Sequence, residues 1–158
     1  MPNGMRYALL PNNTPPDRIS MRFYIKAGSL MEKSDQRGLA HFLEHLAFKG
    51  SENIPVGELI HYLQGLGIGL GADSNASTSY DFTSYQLDLP SNSQEMLQKG
   101  LMVFREFADK LLIPDEEVEK ERGVILSEKR ASDTPGYRAS RAFFVSGMEL
   151  SGFPETSK

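Results

Sequence analysis

Ile19, Met21, Phe23 and Ile25 alternate with Ser20, Arg22, Tyr24 and Lys26. That period of two predicts a strand with one buried face. Tyr85, Leu87 and Leu89, spaced by Gln86 and Asp88, predict another that stops at Pro90. A short apolar run from Met5 to Leu10 follows an Asn-Gly turn and ends at the breaker-rich "PNNTPPD", which predicts a third. Elsewhere the period changes. Met96, Leu97, Leu101, Phe104, Ala108 and Leu111 fall at helical spacing and predict a long amphipathic helix. Further helices are predicted over residues 38–49, ended by Gly50, and over 56–66, after Pro55. "PDEEVEKERGVILSEKR" opens with acids and closes with Lys129 and Arg130, the charge order a helix dipole favours. A last helix is predicted from Tyr137 to Leu150, and "GLGIGLGADSNAS" reads as a glycine-rich turn entering a strand. The mixture predicts an α+β fold, with helices packed on one face of a mainly antiparallel sheet.

With 158 residues, the chain has room for one domain with a real core. A formal charge of −4 and the absence of a concentrated basic run argue against a nucleic-acid partner. No apolar run approaches the ~20 residues needed to cross a bilayer. The first residues carry no secretory-type leader pattern, and "SGFPETSK" stops without a terminating element. The expected unit is therefore a single domain over residues 1–158, incomplete and cut from something longer. Cysteine is absent, so thiolate chemistry is excluded and any metal site must use His, Asp and Glu.

"HFLEH", His41 to His45, concentrates such residues. On a helix His45 lies about 40° around from His41, and Glu44 about 60° to the other side. All three share a face, with Phe42, Leu43, Leu46 and Ala47 expected to cover the opposite side. Two imidazoles one turn apart suit zinc, which commonly adds a carboxylate and keeps one position for water. Glu44 is placed to take a proton from that water. The plain alternative is a polar helix face. Along the helix near Glu121, the residues Glu117, Glu121, Val124, Ile125 and Glu128 lie on one stripe. Val124 and Ile125 are expected to point inward and to draw Glu121 and Glu128 with them. A buried carboxylate needs a partner, and a divalent cation is one; ion pairs with Lys120, Lys129 or Arg122 are the alternative. His61 has no acidic partner at metal spacing and is expected to face solvent.

"HFLEHLAFKGS", "GADSNASTSYDFTSYQLDLP" and "EKERGVILSEKR", with "MPNGMRYALLPN" and "AGSLME" before them, resemble the pitrilysin or insulinase-like zinc metallopeptidases. These inverzincins include mitochondrial processing peptidase and bacterial zinc proteases. The resemblance covers nearly the whole chain and implies the N-terminal part of a zinc-dependent endopeptidase. It implies His41 and His45 as zinc ligands and Glu44 as general base. Counting from the second histidine at the family's usual spacing lands on Glu121, whereas the local R-x-V-I run puts the third ligand at Glu128. The local pattern is preferred, which leaves Glu121 to support a histidine ligand. Asn75 and Ala76 would lie on the strand whose edge takes a peptide or unfolded polypeptide substrate.

The same resemblance implies a missing C-terminal half or partner subunit, a fragment that is weak or inactive alone, and sheet edges open to self-association. A non-catalytic peptide-binding or scaffold member is the alternative, and manganese or cobalt could replace zinc at the same ligands. The compartment is not readable; a soluble, periplasmic or secreted setting is compatible with a bacterial member.

Overall fold

A computed structural model describes residues 1–69 and 71–150. In chain order these form β1 (Ile19–Ile25), a 3-10 turn (Ser29–Met31), α1 (Leu39–Leu46) and α2 (Leu59–Gly65). They continue as β2 (Ser74–Thr78), β3 (Thr83–Leu89), α3 (Gln94–Asp109), α4 (Asp115–Ser132) and α5 (Pro135–Leu150). The three strands make an antiparallel sheet in the order β1-β3-β2, with Met21 opposite Leu87 and Ala76 opposite Tyr85.

Alternation decides the inner face. Thr83, Tyr85, Leu87 and Leu89 of β3 are buried, joined by Met21 of β1. Val103, Phe104 and Phe107 of α3 cover them, with Leu59 and Leu63 of α2 and Ala47 completing the cluster. The rings of Tyr85 and Phe107 pack with centroids 4.9 Å apart. Helix α3 comes close because residue 100 is glycine: a Cβ there would stand 2.8 Å from Met21 Sδ. Ser93 caps this helix by accepting the Met96 N–H at 3.2 Å. The sheet's opposite face is polar, with Asp88 accepting from Ser20, Arg22 and Gln86.

The α+β reading, with helices on an antiparallel sheet, is the observed fold, and three of its expectations need correction. Met5–Leu10 is not a strand. It pairs with no described strand, and Tyr7, Leu9 and Leu10 stand exposed; an apolar run becomes a strand only when a partner ladder takes up its backbone groups. The second helix starts at Leu59 rather than Val56, because Gly57 adopts a positive φ of 83° that breaks the helical turn before it can form. Leu43, Val124 and Glu128 are exposed rather than inward. Helix α4 lies against α1, so only the narrow stripe of α4 that meets α1 is covered.

Candidate metal centre

Helix α1 begins at Gly38, whose φ of 87° turns the chain sharply and whose lack of a side chain leaves the helix without a cap of its own. Glu32 supplies one from upstream. Its two carboxylate oxygens accept the Gly38 and Ala40 N–H groups at 2.6 and 2.8 Å. On the helix so anchored, His41 and His45 stand one turn apart, with rings nearly perpendicular at 84° and their Nε2 atoms 3.1 Å apart. Helix α4 crosses beside them and brings Glu128 Oε2 to 3.5 Å from His45 Nε2 and 3.9 Å from His41 Nε2.

These three atoms form a small triangle. A point equidistant from them lies about 2.0 Å from each, inside the ~2.0–2.2 Å that zinc keeps to imidazole nitrogen and carboxylate oxygen. His41 and Glu128 are about half exposed, so one side of the triangle is open to solvent. The donor set, two imidazoles and one carboxylate, therefore fits a divalent cation with a free coordination position.

Glu121 is differently engaged. It is only 3% exposed, and its Oε1 accepts the His45 Nδ1–H at 2.7 Å. Burial pushes its carboxyl up, but hydrogen bonds from Lys49 and His45 outweigh that and hold it below the usual carboxylate range. An ionised carboxylate only accepts, so it fixes the proton of a neutral His45 on Nδ1 and turns the Nε2 lone pair toward His41 and Glu128. The two glutamates that sequence reasoning had to choose between thus face opposite nitrogens of one ring.

Glu44 is buried, and its Oε2 accepts the Thr78 hydroxyl at 2.5 Å from the end of β2. Tyr85 lies near enough that burial, with the Glu44 charge behind it, pushes its phenol up to about 12. Asn75 is exposed on β2, where its Oδ1 accepts the Ala76 N–H at 2.9 Å. His61 is exposed on α2, as expected. Lys49, Thr78 and Glu32 were not singled out from the sequence. Lys49 alone left a readable signal: it follows His45 by four positions, about one turn on within the helix predicted over residues 38–49.

The family model for Insulinase (Peptidase family M16) matches residues 7–141. The chain belongs to this family. It is 38% identical over 140 residues to the probable zinc protease PqqL of Escherichia coli K12, covering 89% of this chain and 15% of that protein. It is 37% identical to the Haemophilus influenzae protein of the same description, covering 95% of this chain and 16% of the relative. The crystal structure of the first half of the periplasmic protease PqqL from E. coli superimposes with a TM-score of 0.84, over 89% of this chain and 30% of that one. This M16 chain therefore spans about 15% of the length of the PqqL proteins it resembles. No helix among the described residues is long and apolar enough to cross a membrane.

Proposed function

We propose that this chain carries the metal site of a zinc-dependent endopeptidase, with His41, His45 and Glu128 as ligands. The observation that carries the reading is the convergence of those three donor atoms on a point at zinc distance, on an M16 chain whose relatives are named zinc proteases. Bound there, zinc supplies Lewis acidity, polarising a peptide carbonyl and making water a nucleophile near neutral pH.

The chain's own residues do the rest. Glu44 takes the proton from the attacking water and returns it to the leaving nitrogen. Thr78 holds one Glu44 oxygen, which leaves the other for the proton. Substrate backbone adds along the open edge of β2, where main-chain pairing gives affinity without reading side chains. Asn75 Oδ1, now on the Ala76 N–H, gives way when a peptide carbonyl arrives. The remainder of the parent, a C-terminal half or partner subunit, contributes the groups that close over the substrate, so the isolated chain is expected to bind zinc and cleave weakly or not at all.

Zinc content of the purified chain after dialysis, with His41→Ala and His45→Ala as controls, tests the ligand assignment; the wild type is expected to keep about one equivalent and the variants to lose it. Glu44→Gln in the full-length parent is expected to retain zinc while losing peptide turnover by at least two orders of magnitude. Turnover at the wild-type rate would remove Glu44 from the mechanism.

A further inference from the structure

The side chain that holds Glu121 from its far side belongs to α1's own continuation. Lys49 Nζ lies 2.5 Å from Glu121 Oε2, while His45 Nδ1 lies 2.7 Å from Oε1. The carboxylate is therefore gripped at both oxygens by residues four apart on one stretch of chain. The Lys49 backbone is itself fixed. Its N–H donates to Leu46 O at 3.0 Å, and its carbonyl accepts from the Gly57 N–H at 2.9 Å. The side chain is about one-third exposed, so the ammonium sits at the edge of the site.

A carboxylate held at one oxygen can swing about its side-chain torsion; held at two, it presents a fixed acceptor. We propose that Lys49 is a positioning residue for the metal centre: by pinning the second oxygen of Glu121, it fixes the carboxylate that orients the His45 ring. This rests on the zinc reading for its consequence but not for its geometry. The Glu121–Lys49 contact also joins α4 to the turn that follows α1, next to the place where Glu128 must meet both imidazoles.

Lys49→Met keeps the apolar stem and removes the pin, and Lys49→Arg restores a charged donor. Two measurements on the 158-residue chain separate the possibilities. Zinc affinity, from competition with a chromophoric chelator, is expected to fall about tenfold in Lys49→Met, the low end of the loss seen when an orienting partner is removed. It is expected to recover in Lys49→Arg, while the zinc-free Lys49→Met form melts lower than wild type because Glu121 Oε2 loses its partner in a buried place. In the zinc-free chain, the His45 Nδ1–H proton is expected as a protected NMR resonance that is lost in Lys49→Met and present in Lys49→Arg.

Wild-type zinc affinity and an unchanged Nδ1–H resonance in Lys49→Met would overturn the proposal. If the wild-type chain binds no zinc, the metalloprotease reading fails, and the Nδ1–H resonance still decides whether Lys49 orients the ring. Should Lys49→Met not fold, Lys49→Leu, apolar and without a donor, gives the same comparison.

Discussion

Among the described residues three glutamates are buried, and each is met in a different way. Glu121 is shared between a histidine and a lysine, Glu44 accepts a hydroxyl, and Glu106 of α3 takes up a loop. Glu106 is 2% exposed; its oxygens accept the Asn53 N–H at 3.0 Å and the Asn53 side-chain amide at 2.8 Å, tying the segment after α1 to α3. Burial pushes this carboxyl up, but the nearby Ser51 hydroxyl, the hydrogen bonds from Asn53 and the Lys110 charge together outweigh it, so its folded pKa lies below the ordinary value. A depressed carboxylate contributes stability that is present above its unfolded pKa of about 4 and is lost as pH falls through the folded value. Glu106→Gln is therefore expected to lower stability by about 1–3 kcal/mol at pH 7, through a weakened hydrogen-bond pair in a buried place. The gap to wild type should begin to narrow in urea titrations as pH falls below about 4 and close further as pH passes through the lower folded value, beneath which the wild-type side chain is neutral as well. A constant gap across that range would mean that shape rather than charge sets the cost.

At the scale of elements, the helix that carries His41 and His45 is short and depends on an outside cap. Glu32→Ala would return the Gly38 and Ala40 N–H groups to water and is expected to cost about 1 kcal/mol. His41 sits in the first turn of α1, so the fraying should appear there, as faster amide exchange over residues 39–42 than over 44–46. Equal exchange in the two turns would show that packing alone holds the helix. Strands β1 and β3 and helix α3 were legible because a covered face writes its period into the sequence. So was the stretch from Asp115 to Arg130, through its ordered charges. Met5–Leu10 was misread because an apolar run does not say whether a neighbouring strand exists, and Val124 because helical spacing does not say how wide the covering surface is. At the centre, His41, Glu44 and His45 were legible from their spacing on one helix. Glu128 needed a local pattern, and Thr78 was hidden because its partner lies 34 positions away on another element.

Among the described residues the molecule has a covered inner core and a sheet whose two outer strands are open. β1 and β2 are both outer strands of the described sheet, and Tyr7, Leu9 and Leu10 lie exposed on a segment without a strand partner. Open backbone edges with apolar residues nearby favour pairing between copies. The isolated chain is expected to gain apparent mass with concentration in light-scattering chromatography, and Leu9→Lys with Leu10→Lys to reduce that gain. A monomer at every concentration would mean that the two borders are already blunted by their polar residues.

Both imidazoles and the glutamate between them ride on α1, whereas α4 carries the two carboxylates that meet the His45 ring, one at each nitrogen. The meeting of these side chains is thus set by how two rods lie against each other rather than by the number of residues between them. Loops between the rods can lengthen or shorten in homologues without disturbing the donors, provided both rods still dock. A transplant of this group of side chains to another scaffold would accordingly need the paired rods at the same crossing, with counterparts of Glu32 and Thr78 beside them.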